Sequence, residues 1–172
     1  PCGKCPSCTQ TNNSDIIEID AASNNGVDEI RELRDKVGLV PSFGKYKVYI
    51  IDEVHMLTTA AFNALLKTLE EPPKHIIFIL ATTEPHKIPM TILSRCQRFD
   101  FQKISVPDIM KKINEIVEKE KIDIEYEAIK LIAELSDGGM RDSLSLLDQL
   151  TSYTSNKITV NDVNDVYGTI TN

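Results

Sequence analysis

Two adjacent carboxylates, Asp52 and Glu53, close the apolar run Lys47-Val48-Tyr49-Ile50-Ile51. One carboxylate is a hard oxygen ligand for magnesium, and a second beside it can polarise a water molecule that attacks a phosphate. This is the Walker B pattern. Its first acid holds the metal through water, and its second positions the nucleophile. A solvated turn after a strand shows the same two residues, so the pair alone leaves both readings open. A second constellation is Cys2, Cys5 and Cys8, separated by two-residue gaps. That spacing lets successive thiolates face one metal ion, with Gly3 and Pro6 supplying turns. Tetrahedral zinc takes four ligands and only three are here. Cys96 is far along the chain, so a fourth ligand upstream of Pro1 is the expectation. Three free thiols are the alternative.

The acids need a rigid platform. A short continuous run rich in β-branched and aromatic residues predicts a strand buried on both faces, at the centre of a parallel sheet. Ligands of such sheets gather at the carboxyl ends of the strands, where Asp52 and Glu53 fall. Asp15–Asp20 predicts another strand, followed by a loop in which Asn24 or Asn25 caps a helix. Val27, Ile30, Leu33 and Val37 form the apolar stripe of that helix. Its charges, Arg31, Arg34 and Lys36 among Asp28, Glu29, Glu32 and Asp35, fit a solvated face. Thr58 or Thr59 opens the next helix, which carries Ala61, Phe62, Leu65, Leu66 and Leu69. Pro72-Pro73 stops it. His75–Leu80 predicts a second buried strand beside the first, ending in Ala81-Thr82-Thr83-Glu84-Pro85. Gln97–Phe101 predicts a third.

From about Ser105 strands give way to helices. Ser105 with Asp108, and Thr159 with Asp162, have the spacing of capping boxes. Gly138-Gly139 separates two of the helices, and Arg141 opens the one that follows. The expected layout is an α/β part over 1–103 and a small all-α part over 104–172.

The chain has 172 residues, 41% hydrophobic and 26% charged, with a net charge of −7. That size suits one domain, or one medium and one small domain. The net charge argues against a surface wholly coated for nucleic acid, though a local basic face stays compatible with it. No apolar run approaches the ~18 residues of a membrane span. No signal peptide is evident, and the cysteine distribution is a poor disulfide framework, so the expected compartment is cytoplasmic.

Several longer stretches then bear on the acids together. They are Glu18-Ile19-Asp20-Ala21-Ala22-Ser23-Asn24-Asn25-Gly26-Val27-Asp28, Val48-Tyr49-Ile50-Ile51-Asp52-Glu53-Val54-His55-Met56-Leu57 and Asn63-Ala64-Leu65-Leu66-Lys67-Thr68-Leu69-Glu70-Glu71-Pro72-Pro73. Further along come Leu80-Ala81-Thr82-Thr83-Glu84-Pro85, Ile92-Leu93-Ser94-Arg95-Cys96-Gln97-Arg98-Phe99 and Gly138-Gly139-Met140-Arg141-Asp142-Ser143. With the cysteines, they closely resemble the AAA+ module of bacterial clamp loaders, in the gamma/tau family of DNA polymerase III, over nearly the whole chain. The resemblance implies a P-loop-type parallel sheet with helices on both faces, followed by a helical lid.

It also implies roles. Asp52 is similar to the magnesium-associated acid, and Glu53 to the acid that positions water. Thr82, with Thr83 as the neighbouring candidate, resembles the sensor near the γ-phosphate. Ser94-Arg95-Cys96 resembles the motif whose arginine reaches in trans into the ATP site of an adjacent subunit. Arg141 resembles the lid sensor, and Cys2, Cys5 and Cys8 three of four zinc ligands. Cys96 itself reads as a small buried residue, and His55 as neither general base nor ligand. The implied cofactors are ATP, Mg2+ and Zn2+. The implied partners are the delta and delta-prime subunits, further gamma/tau copies, the sliding clamp and primer–template DNA. The delta-prime type, which often lacks a working nucleotide site, and a scaffold module are the rivals. A helicase with the same acid box is a third.

One departure matters. None of the seven glycines stands in a Gly-x-x-x-x-Gly-Lys-Ser/Thr loop. That loop cradles phosphates with backbone N–H groups and a lysine. In the resembling family it precedes the cysteines, so an upstream portion carrying it, with the first strand and its helix, is expected. The chain by itself is expected to bind ATP poorly and to hydrolyse essentially none.

Overall fold

The computed structural model describes residues 2–4, 6–9, 14–154 and 156–170. They fold as two compact units, Pro1–Phe99 and Asp100–Asn172.

The first unit holds a three-stranded parallel sheet in the order β1 (Ile16–Asp20), β2 (Lys47–Asp52), β3 (Ile76–Leu80). Before it comes a single turn, α1 (Pro6–Thr9). Between the strands run α2 (Val27–Val37) and α3 (Thr59–Glu70), and α4 (Met90–Leu93) follows β3. The register sets Ile17 beside Tyr49 and Tyr49 beside Phe78, then Ile19 beside Ile51 and Ile51 beside Leu80. Side chains alternate across a strand, so these six residues share one face. That face packs with Ile30, Leu33 and Val37 of α2 and Ala61, Phe62 and Leu65 of α3. Each such aliphatic or aromatic side chain contributes ~1.5–3 kcal/mol on burial, which makes this contact the main stabiliser of the unit.

The opposite face departs from the expectation of a strand buried on both sides. Val48 and Ile50 are only half-buried, and Ile77 and Ile79 are 41% and 47% exposed. Among the described residues no element covers that row as α2 and α3 cover the other. Gln97–Phe101 likewise forms no strand. Phe99 and Phe101 are exposed, and no described strand lies alongside to take their backbone hydrogen bonds.

Thr58 caps α3 as expected, its hydroxyl accepting the Ala61 N–H at 3.2 Å. At α2 the cap is Gly26, without a side-chain bond. Asn24 instead donates to the Asp20 carbonyl at 3.0 Å, and the Asn25 carbonyl accepts the Thr58 N–H at 3.1 Å. The asparagines therefore tie the loop to its neighbours rather than cap the helix. The charges of α2 pair locally, Arg31 with Asp28 and Lys36 with Glu32, as on a solvated face.

At the amino edge of the sheet, Asp15 is buried. Its carboxylate accepts backbone N–H groups from Ser42, Phe43 and Gly44 at 2.6, 2.7 and 2.9 Å. Burial would raise its pKa. The N–H groups and the nearby Lys47 outweigh that and hold the carboxyl below its ordinary value.

The second unit packs α5 (Val106–Glu120), α6 (Tyr126–Leu135), α7 (Met140–Tyr153) and α8 (Val160–Ile170) around Ile109, Ile113, Ile132, Leu150 and Val163. Both expected capping boxes form. Ser105 accepts the Asp108 N–H at 3.3 Å, and the Asp162 carboxylate accepts the Thr159 N–H and hydroxyl, both at 2.7 Å. Gly138 sits at φ +84°, a conformation that L side chains rarely adopt. A Cβ there would lie 2.6 Å from the Lys103 Cβ.

Two outcomes follow. Asp15→Asn should lower unfolding free energy by ~1–3 kcal/mol, because an amide cannot accept all of these N–H groups. The Asp15 contribution is full above the unfolded carboxylate pKa, near ~4, and fades as pH falls through the lower folded value. Urea melts should therefore show a larger penalty at pH 7 than at pH 3, and an equal one would contradict the assignment. Gly138→Ala should cost ~1–3 kcal/mol through its positive φ and the close Lys103 contact, read as a lowered melting temperature.

Candidate functional site

The carboxyl edge of the sheet is held level by the parallel register, which sets Asp20 opposite Asp52 and Leu80 opposite Ile51. The ladder continues past the strand ends. Ala21 N–H donates to the Asp52 carbonyl at 3.0 Å, Ala81 N–H to Ile51 at 2.9 Å, and Val54 N–H to Ala81 at 2.9 Å. The segments that follow all three strands therefore start from one backbone platform.

Asp52 is exposed on this edge, and its Oδ1 accepts the Glu53 N–H at 2.9 Å. Glu53 lies at φ 46°, ψ 43°, a left-handed conformation that costs a non-glycine residue roughly 1 kcal/mol or more. In it the Glu53 Oε2 stands 3.2 Å from the Thr83 hydroxyl and 3.2 Å from the His55 Nδ1. Thr82 is half-buried beside them. Its hydroxyl oxygen accepts the Glu84 N–H at 3.0 Å and lies 3.0 Å from the His55 Nδ1. The His55 Nε2 faces Glu84 Oε2 at 3.1 Å, and the imidazole is 8% exposed. Glu84 is held below its ordinary carboxylate pKa, first by the Lys87 hydrogen bond at 2.6 Å, against a smaller desolvation effect. The charges of Lys87, His55 and His86 add to the lowering.

The structure thus brings four sequence candidates together: Asp52, Glu53, Thr82 and Thr83. It adds two that the sequence reading did not assign, His55 and Glu84. Their signal was faint, a histidine after the acid pair and a glutamate after the threonines. The 3-10 turn Val54–Met56, which folds the ring back over the strand end, is what joins them. Chemically, an exposed carboxylate, a second carboxylate aimed across the edge and two hydroxyls suit a metal-assisted attack of water on a phosphate.

The other candidates stand apart. Arg95 donates to the Thr91 carbonyl at 2.6 Å and pairs with Glu70 at 3.0 Å. Cys96 packs half-buried against the apolar core, and burial pushes its thiol pKa up. Arg141 is exposed in the first turn of α7, in the second unit. Cys5 lies outside the described residues. The sulfurs of Cys2 and Cys8 are 3.9 Å apart. Thiolates placed ~2.3 Å from a tetrahedral zinc would be roughly 3.8 Å apart, so this pair suits two such ligands. Among the described residues no group of three metal-capable side chains assembles.

A family model described as DNA polymerase III, delta subunit matches residues 1–105, and one described as DNA polymerase III clamp loader subunit, ATPase lid domain matches 108–156. DNA polymerase III subunit tau of Bacillus subtilis is 59% identical over 99% of the chain, and the Escherichia coli subunit tau 45% identical over 99%. The chain spans 31% and 27% of those two relatives' own lengths. Among solved structures, a gamma subunit-related protein of Thermotoga maritima is 28% identical, with a TM-score of 0.53 over 87% of this chain and 53% of that one. The T. maritima RuvB branch migration motor shares the fold at 20% identity, with a TM-score of 0.67 over 87% of this chain and 51% of that one. The matched motifs, the parallel sheet with its acid edge and the helical unit converge: the chain belongs to the DNA polymerase III clamp-loader subunit family of the gamma/tau type.

Proposed function

We propose that this chain is part of an ATP-driven clamp-loader subunit, with residues 1–103 contributing a truncated ATPase portion and 104–172 its lid. The observation that carries the reading is the Glu53 carboxylate held 3.2 Å from Thr83, beside the exposed Asp52 and next to Thr82. Asp52, an exposed hard ligand at the strand end, suits a water-bridged Mg2+, which when bound neutralises charge on the phosphates. Glu53 orients the attacking water. Thr82, with Thr83 beside it, senses the terminal phosphate through a hydroxyl hydrogen bond.

Arg95 acts in trans. Its guanidinium keeps its charge at any working pH, so inserted into a neighbouring subunit's site it makes hydrolysis depend on assembly. The Glu70 pair then presents the arginine before docking. The two side chains are 35% and 52% exposed, so solvent screens the pair and it carries little stability of its own. Arg141, on the separate helical unit, lets bound ATP bias the lid. Cys2, Cys5 and Cys8 supply three thiolates to a Zn2+, whose fourth ligand comes from elsewhere. The partners are other clamp-loader subunits of the delta, delta-prime and gamma/tau kinds, then the sliding clamp and primer–template DNA. The compartment is the cytoplasm. Among the described residues no helix is long and apolar enough to cross a membrane.

Hydrolysis requires a phosphate-cradling loop that the seven glycines of this chain do not form. The 172-residue chain alone should therefore show negligible turnover, and the full-length polypeptide assembled with its partner subunits should turn over ATP. In that assembly Glu53→Gln should lower kcat ~100-fold or more while ATP still binds. Unchanged turnover would favour the delta-prime-like scaffold. Arg95→Ala subunits should bind ATP normally yet fail to stimulate their neighbours, restored by mixing with Glu53→Gln subunits that retain the arginine. For zinc, an X-ray absorption edge scan of the purified chain should show a sulfur-coordinated metal, lost with Cys2→Ser and Cys8→Ser together.

A further inference from the structure

We propose that His55 is a positioning residue, donating from Nδ1 to the Glu53 carboxylate and anchored through Nε2 on Glu84, so that the water-orienting acid and the Thr82 hydroxyl are held as one cluster. The inference deepens the ATPase reading and rests on it. Three observations carry it. First, the imidazole is 8% exposed, yet polar groups surround both its nitrogens: Glu53 Oε2 at 3.2 Å and Thr82 Oγ1 at 3.0 Å from Nδ1, and Glu84 Oε2 at 3.1 Å from Nε2. A histidine that merely fills core space does not place two carboxylates at opposite ends of its ring. Second, Glu53 adopts a left-handed backbone at φ 46°, which persists only where surrounding contacts over-determine it. Its hydrogen bond from Thr83 and its 3.2 Å approach to the His55 Nδ1 are such contacts. Third, Glu84 is fixed from its far side by Lys87 at 2.6 Å, and its N–H binds the Thr82 hydroxyl oxygen. The anchor of the ring and the sensing hydroxyl thus share one short segment after β3.

The consequence is mechanical. A phosphate that draws on the Thr82 hydroxyl pulls on a group in contact with His55, and the same ring restrains Glu53. His55 therefore couples the sensing hydroxyl to the acid without touching the reacting atoms.

Two measurements test this. Long-range 1H–15N spectra of the purified 172-residue chain should show a protonated Nδ1 on His55. That resonance should move in Glu53→Gln, and the Nε2 resonance should move in Glu84→Gln. A bare Nδ1, or one indifferent to Glu53→Gln, would overturn the proposal without bearing on ATP turnover. In the full-length polypeptide with its partner subunits, His55→Ala should lower kcat about 10- to 100-fold, with ATP affinity and KM changed less than about threefold. His55→Asn, whose amide N–H can occupy the Nδ1 position, should recover part of the loss. Adding Glu84→Gln to His55→Ala should bring no further loss, since the anchor has nothing left to hold. A purely structural histidine would instead lower affinity, melting temperature and kcat together, with no rescue by asparagine. Absence of wild-type turnover would sink the ATPase reading, while the ring-nitrogen spectra would still decide the His55–Glu53 bond.

Discussion

Strand β2 is hydrogen-bonded along both of its edges, to β1 and to β3, in parallel register. That double pairing fixes its height relative to both neighbours, and most of the candidate site depends on it. A one-residue slip would move Ile51 off the core face and turn Asp52 into it, so the register cannot drift without burying a charge. With the register set, three chain segments leave the sheet at one level, and side chains far apart in sequence meet. Glu53 and Thr83 touch although thirty positions apart in sequence because their strands end side by side.

The two edges of the sheet handle charge in opposite ways. At the amino edge Asp15 is buried and accepts three backbone N–H groups from the loop before β2. A buried carboxylate held in that way is a structural brace. At the carboxyl edge Asp52 is exposed, and Glu53 is held by side-chain groups and a strained backbone. Those contacts can be exchanged for bonds to a metal, a water or a phosphate. The chemistry gathers at the edge where the polar groups remain exchangeable.

The helical unit follows a simpler logic. Its caps at Ser105 and Thr159 satisfy helix N-termini locally, and its core is aliphatic. Gly138 sits where the backbone turns left-handed close against the segment at Lys103. Arg95 shows how a surface arginine can be held without being spent: Glu70 and the Thr91 carbonyl orient it while about a third of its side chain, 35%, stays open to solvent.

Much of this was legible in the residues. The apolar runs before Asp52 and Ala81, the stripe of α2, the Thr58, Ser105 and Thr159 caps and the change to helices near Ser105 are local patterns, and local physics decides them. Burial was less legible. The run in β2 looked apolar throughout, yet among the described residues its second face, with Val48 and Ile50, is only half-buried, because coverage depends on elements elsewhere. Gln97–Phe101 has strand-like residues, but among the described residues no strand lies alongside it to form a ladder. Asn24 and Asn25 have capping chemistry, yet the Asn24 side chain is spent on the Asp20 carbonyl and Asn25 meets Thr58 through its backbone carbonyl. The sequence by itself determined which acids, hydroxyls and arginines are available and which family they belong to. Only the tertiary structure decided that His55 and Glu84 join Glu53 and Thr82 in one cluster. That meeting depends on strand register and on a left-handed turn at Glu53, and both arise from long-range hydrogen bonds that no local spacing encodes.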